Sequence, residues 1–256
     1  MSTAEPSQLT AIISTANRPK SVARLVRSLR RGYPKLKILV ADASSGSSKA
    51  RHGVDSIQLP AGAGRSAGYN AMLARVRTPY FLLLDDRCEI SRETSLERLV
   101  ALVADDKLDI AAGDFIACQR KMWFFVSRRP EPRHGLMEFA GDQLTLTLGS
   151  RAPGDGYCWC DLVAPLFVAG TNKVRSLGGW DQELESDEQD EFFVRAHRQG
   201  LRVGIAPELT AWLWSEQLPA EPSRDLKSLA VAKMGLARMT GFEGQVTRAP
   251  RRAMAA

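Results

Sequence analysis

The chain has 256 residues, 44 % of them hydrophobic, and a formal net charge of +6, which allows one large domain or two small ones with a substantial core. No apolar run approaches the roughly 20 residues that a membrane-spanning helix needs, and residues 1–8 are polar, without the basic-then-apolar pattern of a secretory signal. With only four cysteines, the sequence predicts a reducing, cytoplasmic setting.

The first 42 residues predict a β-α-β unit. Residues 8–14 are typical of a strand, and the polar turn after them ends at Pro19, a residue suited to the first position of a helix. An apolar stripe at helical spacing follows, formed by Val22, Leu25, Val26 and Leu29. A second strand over residues 36–41 leads directly to Asp42. The unit implies a parallel sheet with a right-handed crossover.

The next segment predicts a short strand over residues 56–59, a glycine-rich loop over residues 60–70 and a short helix over residues 71–76. Glycines allow the backbone to approach a ligand closely, and Arg65 and Asn70 are possible donors to phosphate or ribose oxygens. The spacing lacks the third glycine of a dinucleotide-binding motif. An ordinary surface loop is therefore the alternative interpretation.

A strongly apolar segment, residues 79–84, runs into Asp85, Asp86 and Arg87. Its length and composition predict a strand that is buried on both faces. Ligands of open α/β sheets bind at the carboxyl ends of the strands. These three charged residues are therefore predicted to face a ligand, and a plain acidic turn is the alternative.

Beyond this motif, an amphipathic helix is predicted over residues 94–103 and a strand over residues 108–112. Residues 119–157 place Trp123, Phe124 and Phe125 among basic residues, a pattern open to base stacking, a sugar platform or plain core. Residues 144–148 alternate as in a hairpin strand, and residues 161–169 predict a buried strand.

The last third predicts a helix that opens with an acidic cluster over residues 183–191. Carboxylates in a first turn suit the positive end of the helix dipole, which accounts for several of them without any function. A pair of short strands is predicted over residues 201–214 and a helix over residues 224–239, with disorder after Gly244.

Five motifs in order resemble family 2 glycosyltransferases with the GT-A fold, and in particular β-1,4-N-acetylgalactosaminyltransferase-type enzymes. The motifs are residues 12–19, 40–44, 64–70 and 78–86, followed by an acceptor-half signature over residues 174–181 and 187–195. The resemblance implies an α/β fold with a mixed, mostly parallel central sheet flanked by helices. It divides one domain into a flexible start (1–8), a nucleotide-sugar-binding half (9–115), an acceptor-binding half (116–216) and a C-terminal helix with a basic tail (217–256).

The resemblance also implies roles for individual residues. Thr15 and Arg18 would line the nucleotide pocket, and Asp42 would accept hydrogen bonds from the base or ribose. Arg65 and Asn70 would help to position the nucleotide sugar. Asp85 and Asp86 would hold Mn²⁺ or Mg²⁺ against the diphosphate, where a cation stabilises the departing charge.

The chain departs from the family pattern at two further positions that hold the metal ion in relatives. Arg87 replaces a third acidic residue, and Trp212 falls where relatives often place a metal-binding histidine. Two carboxylates can still hold a divalent cation with water and phosphate. Our hypothesis is that Arg87 itself supplies part of the positive charge, since a guanidinium matches phosphate oxygens. The alternatives are that Arg87 pairs with Asp85 or Asp86, or faces solvent.

A third departure concerns the general base. Relatives commonly carry an aspartate at the position of Gln189, and an amide cannot take a proton from the acceptor hydroxyl. Glu188 is the predicted base, and Asp187 or Asp190 takes the role if the alignment slips by one residue.

The resemblance implies an inverting glycosyltransferase that moves a sugar from a UDP-sugar to a glycan or lipid-linked acceptor. The alternatives are a catalytically impaired relative that binds nucleotide sugar or glycan, and a nucleic-acid-modifying or binding protein, although no nucleic-acid partner is expected. Residues 222–256 carry seven basic residues against two acidic ones. Such a tail is compatible with peripheral contact to anionic lipid, or simply with solubility.

Overall fold

The computed structural model describes residues 6–45, 53–121, 125–184, 186–215 and 224–250. Its strands are β1 (Leu9–Thr15), β2 (Lys37–Asp42), β3 (Asp55–Gln58), β4 (Tyr80–Asp85), β5 (Cys88–Ile90), β6 (Ile110–Lys121), β7 (Phe125–Pro130), β8 (His134–Ala140), β9 (Gln143–Leu148), β10 (Cys158–Cys160), β11 (Leu162–Val163), β12 (Leu166–Gly170), β13 (Val203–Trp214), β14 (Arg238–Thr240) and β15 (Val246–Arg248). Its helices are α1 (Pro19–Gly32), α2 (Arg65–Arg75), α3 (Leu96–Ala104), α4 (Thr171–Ser176), α5 (Glu188–Arg198) and α6 (Arg224–Lys233).

The main sheet is mixed and contains ten strands within the described residues, eight of them in the order β10-β13-β6-β12-β4-β1-β2-β3. The four strands β3, β2, β1 and β4 run parallel, as the predicted β-α-β unit requires. Strand β12 lies antiparallel between β4 and β6. The carboxyl ends of β1, β2 and β4 therefore meet at one edge of the sheet.

Apolar residues on both faces of the sheet form two clusters. One cluster packs α1 and α3 against the sheet and includes Leu25, Leu29 and Leu99. The other packs α2 and α5 on the opposite side and includes Trp180 and Phe192, whose rings stack with centroids 4.7 Å apart. The predicted arrangement of helices on both faces is confirmed. The described residues contain no helix with the length and hydropathy of a membrane-spanning segment.

A second sheet has the order β11-β8-β9-β14-β15, and it confirms the predicted hairpin around residues 144–148. The C-terminal prediction was wrong. Helix α6 ends at Lys233 rather than at residue 239, because Gly235 has a left-handed φ of +67° and the chain then enters β14. Residues 246–248 form a strand instead of a disordered tail. The basic residues Arg251 and Arg252 lie outside the described part.

Two other boundaries differ from the predictions. The segment 161–169 is two strands, because Pro165 lacks a backbone donor and the chain leaves β11 in the second sheet to enter β12 in the main sheet. Residues 203–214 form one long strand, whose pairing with β6 shifts register between Ala206 and Thr210. Trp123 and Phe124 of the aromatic segment lie outside the described residues, while Phe125 begins β7.

Candidate active site

Asp85 ends β4, and Arg87 binds its carboxylate from two sides. The Arg87 side chain donates from Nε and Nη2 to the two oxygens at 2.8 and 2.6 Å, and its backbone N–H donates at 2.9 Å. Burial opposes ionisation of Asp85, but the hydrogen bonds and charge of Arg87 outweigh it and lower the pKa of Asp85 below its ordinary value. The pairing alternative raised by the sequence is therefore the arrangement found.

Asp86 is held by Thr15, the last residue of β1, and by Arg18 in the turn that follows. The Thr15 hydroxyl donates to one carboxylate oxygen at 2.7 Å, and Arg18 Nη1 donates to the other at 3.2 Å. Asp86 is buried, and burial followed by the charge of Asp85 raises its pKa despite these contacts. Thr15, Arg18 and the acidic motif, predicted separately as ligand-facing residues, do lie together at one edge of the sheet.

Asp42 occupies the carboxyl end of β2, next to β1. Its side chain is buried and accepts hydrogen bonds from the backbone N–H of Ser44, at 3.0 Å, and from the Ser44 hydroxyl. The Ser44 hydroxyl in turn accepts from the backbone N–H of Asn17, at 2.7 Å. Asp42 therefore stands beside Thr15, as expected for a pocket that spans the two strands, and its role toward a base or ribose stays a prediction.

Helix α2 begins at Arg65, six residues earlier than predicted. Gly64 is its N-cap with extended dihedrals, so the glycine-rich segment is half loop and half helix. Gly68 brings this helix close to β1, since a Cβ atom there would lie 2.5 Å from the Ser14 hydroxyl oxygen. Gly68 serves helix packing, and a loop was the wrong prediction for residues 65–70.

Asn70 contacts the backbone of Trp180, 110 positions later in the chain. Its side-chain Nδ2 donates to the Trp180 carbonyl at 2.7 Å, and its Oδ1 accepts from the Trp180 N–H at 3.0 Å. Gly179 has a φ of +67° and passes close to the same amide. Asn70 thus connects α2 to the segment that precedes α5, while its predicted contact with the nucleotide sugar stays a prediction.

Arg65 joins the two predicted halves of the site. Its Nε lies 2.9 Å from Glu188 Oε1 at the start of α5, and its charge also acts on Asp85 and Arg87. Glu188 is buried, which raises its pKa, and the Arg65 cation limits the rise. The predicted base therefore lies in the same electrostatic cluster as the acidic motif.

The first turn of α5 holds the other two candidate bases. Asp187 is the N-cap residue with a left-handed φ of +55°, and burial raises its pKa. Burial and then the charges of Asp187 and Glu188 raise the pKa of the half-buried Asp190 to about 7. A helix N-terminus alone would favour the ionised form, so loss of hydration is the stronger effect here. Gln189 accepts a hydrogen bond from Trp180 Nε1 at 3.2 Å.

An open cavity of about 460 Å³ lies beside Arg87. Basic residues on its wall are Arg87, Lys121, Arg129 and Arg133, and Glu131 is its one acidic residue. Arg133 is already paired with Glu131 at 2.8 Å. Lys121 and Arg129 are among the basic residues that flank the aromatic segment 123–125, and the sequence did not predict their place beside Arg87. Their place in the site depends on the pairing of β6 with β7, which carries no local signal.

The model of the family described as "Glycosyl transferase family 2" matches residues 10–155, a range that includes the carboxyl ends of β1, β2 and β4. The chain belongs to glycosyl transferase family 2. Its GT-A fold is also that of solved structures of low identity. A crystal structure of GalNAc-T7 with UDP, GalNAc and Mn²⁺ superposes with a TM-score of 0.70 at 13 % identity, over 88 % of this chain and 47 % of that one. A crystal structure of S. aureus TarS 1–349 with UDP-GlcNAc has a TM-score of 0.64 at 15 % identity, over 89 % and 66 %.

Two curated proteins are similar to the chain in sequence. Mus musculus beta-1,4 N-acetylgalactosaminyltransferase 2 is 29 % identical over 203 residues, which are 78 % of this chain and 38 % of the relative. Rattus norvegicus beta-1,4 N-acetylgalactosaminyltransferase 1 is 31 % identical over 209 residues, with the same two shares. The chain thus spans less than two fifths of the length of these relatives. The predicted resemblance to β-1,4-N-acetylgalactosaminyltransferase-type enzymes is confirmed.

The side chains at the family's metal positions, as they are placed, do not fit a divalent cation. Asp85 is bound by Arg87 and Asp86 by Arg18 and Thr15, so each carboxylate already has a cationic partner. Trp212, at the position of the relatives' histidine, has the Arg128 guanidinium 4.3 Å from the centre of its ring. Among the described residues, no group of three His, Cys, Asp or Glu side chains is arranged to hold a metal ion.

Proposed function

We propose that this chain is a glycosyltransferase that moves a sugar from a nucleotide sugar, with UDP as the nucleotide, to a hydroxyl group of a glycan or lipid-linked acceptor. The family assignment supports the class of reaction. The observation that carries the proposal is the Arg65–Glu188 ion pair, because it places a buried carboxylate of the acceptor half in contact with the cluster around Asp85. UDP is supported by the GalNAc-T7 and TarS structures, which contain UDP or UDP-GlcNAc.

The proposed reaction is a single displacement with inversion. The acceptor oxygen forms a bond to the anomeric carbon while the bond from that carbon to the diphosphate oxygen breaks, and the bonding electron pair leaves with the diphosphate. The proton of the acceptor hydroxyl passes to a carboxylate. Stabilising the new charge on the diphosphate is the main electrostatic task of the site.

Glu188 is the base in this proposal, and its surroundings support the choice over Asp187 and Asp190. Glu188 is next to Arg65, whose charge acts on the acidic motif, whereas the charges that act on Asp190 are those of Asp187 and Glu188. A raised pKa makes Glu188 a stronger proton acceptor than an ordinary carboxylate.

A cytoplasmic location with peripheral membrane contact through the basic C-terminal residues completes the proposal. Arg224, Lys227, Lys233, Arg238 and Arg248 are the basic residues in the described part of this region. Lys233 is engaged by Asp181 at 2.7 Å, which leaves fewer cations available for lipid headgroups than the sequence suggests. Sedimentation with anionic vesicles at low and high salt tests this part of the proposal.

The deciding experiment is slow hydrolysis of UDP-sugars without acceptor, followed by NMR of the released sugar. An enzyme releases UDP, and inversion gives the β-anomer first from an α-linked donor. The second candidate, a binding relative, is favoured by Gln189 at the usual base position. That protein would show a thermal shift with nucleotide sugar and no release of UDP above the rate without protein. If the protein shows no thermal shift and releases no UDP, both candidates are contradicted.

A further inference from the structure

We infer that arginine side chains replace the divalent cation in this site, so that Arg87 and the basic cavity beside it bind the diphosphate and stabilise its charge as the sugar leaves. The inference rests on the proposed function and deepens it. Its starting point is the finding that Asp85 and Asp86 each have an arginine partner, Arg87 and Arg18.

The formal charges support this replacement. Two carboxylates and one divalent cation sum to zero, and two carboxylates with two guanidinium groups also sum to zero. Asp86 and Arg87 are both buried, and an unpaired charge is costly at a buried position. The two ion pairs therefore remove the repulsion that Asp85 and Asp86 would otherwise exert on a diphosphate.

The remaining hydrogen-bond donors of Arg87 are suitable for a phosphate. Asp85 uses Nε, Nη2 and the backbone N–H, while Nη1 has no hydrogen-bond partner among the described residues. The side chain of Arg87 lines the cavity. A guanidinium fixed by a carboxylate on one edge presents its other edge in a set orientation, which lowers the entropic cost of binding an oxyanion.

The cavity supplies further positive charge. Lys121 and Arg129 project from β6 and β7, are exposed, and form no ion pair with any residue that the structure describes. The strand order places β6 and β13 on the side of β4 that is away from Asp42. A nucleoside bound over β2 and β1 would thus extend its diphosphate past Asp86 toward Arg87 and the cavity.

In the reaction, the bond from the anomeric carbon to the β-phosphate oxygen breaks and its electron pair stays on that oxygen. Arg87, Lys121 and Arg129 then donate charge-assisted hydrogen bonds to the diphosphate, while the acceptor proton goes to Glu188. This scheme needs no further reactant. Such donors act on developing charge without having to reorganise first.

The test measures UDP binding to the whole chain by calorimetry, in EDTA and in MnCl₂. We expect the same dissociation constant in both. Lys121→Ala with Arg129→Ala should weaken UDP binding in EDTA by at least about tenfold, the usual effect of losing one hydrogen bond to a charged group. Arg120→Ala is the matched control, because Arg120 is an exposed neighbour on β6 that does not line the cavity. If Arg120→Ala weakens UDP binding equally, the loss of affinity comes from the overall charge of the protein, and the inference is overturned.

Arg87→Asp gives a second, opposite readout, because it restores an acidic residue to the metal motif. The variant should bind UDP poorly in EDTA and recover binding in MnCl₂. If it does not fold, as judged by circular dichroism, the Lys121 and Arg129 variants decide, since both positions are exposed. If the wild-type chain binds UDP only in MnCl₂, this inference is contradicted and the glycosyltransferase proposal still stands. If the wild-type chain binds UDP in neither buffer, the proposed function is contradicted as well.

Discussion

Arg65 and Glu188 lie 123 positions apart in the chain and form an ion pair of 2.9 Å between Nε and Oε1. The pair connects the first residue of α2 with the first residue of α5. Because Arg65 also acts on Asp85 and Arg87, one side chain couples the predicted donor site to the predicted base.

Glu188→Gln should lower turnover by about 100-fold or more while leaving UDP affinity near the wild-type value, since an amide keeps the shape of the side chain but accepts no proton. The comparison of kcat with the dissociation constant for UDP checks this. Glu183→Gln, in the exposed part of the same acidic cluster, is the control and should retain activity. Wild-type turnover in the Glu188 variant would rule out this base.

Asp190 should make the folded protein less stable as pH rises. Its pKa is about 7 in the folded state and about 4 in an unfolded chain, so the native state binds more protons between these values. The contribution of this carboxyl group to the free energy of unfolding is fully present below about pH 4 and is lost as the pH rises through about 7. Asp190→Asn should therefore raise the melting temperature at pH 8 and change it little at pH 4.5.

Asp142→Asn is the matched control for this pH effect, because Asp142 is exposed in the turn between β8 and β9. Its melting temperature should follow the wild type at both pH values. A melting temperature for Asp190→Asn at or below the wild-type value at pH 8 would show that the carboxylate is not destabilised by burial.

Asn70→Ala should destabilise the fold by about 2–3 kcal/mol, because it removes two hydrogen bonds and leaves a backbone N–H and C=O of Trp180 without partners. Urea unfolding measures the change. Asn172→Ala, at an exposed position of α4, serves as the control and should be nearly neutral. Wild-type stability in the Asn70 variant would mean that this residue does not stabilise the fold, which would leave only the ligand-binding role that the family motif implies.

Gly68→Ala should cost about 1–3 kcal/mol, as expected for overpacking, because the new Cβ atom would approach the Ser14 hydroxyl oxygen to 2.5 Å. Gly32→Ala is a matched substitution in α1, where a Cβ atom meets nothing within 4 Å, and it should change stability by less than about 1 kcal/mol. Both changes are measured by urea unfolding. Equal effects would mean that α2 can move away from β1 at little cost.

Local patterns in the sequence predicted most of the strands and helices in the first half of the fold. The apolar strand before Asp85 and the stripe from Val22 to Leu29 depend on burial, which leaves a periodic trace in the sequence. The start of α2 was missed because Gly64 and Gly68 are read as loop residues unless the close approach to Ser14 is known. The short strands β14 and β15 were missed because three-residue strands carry too little periodicity.

In the site, too, some features could be predicted from local sequence patterns and others could not. The carboxyl ends of β1, β2 and β4 could be predicted to meet, since parallel strands bring their ends to one edge. The pairs Arg65–Glu188 and Asn70–Trp180 could not, because they join residues more than 100 positions apart and no neighbouring residue signals them. The choice between the alternatives for Arg87 likewise required the geometry of its contact with Asp85.

The pairing of β14 with β9 gives the end of the described chain a protective role. Arg238, Met239 and Thr240 cover the backbone donors and acceptors of Gln143, Leu144 and Thr145. A version of the protein shortened to stop before Arg238 would uncover that edge, and exposed strand edges recruit other chains. Self-association and poor recovery from expression are the expected results of such trimming, even though every residue around Asp85 would still be present.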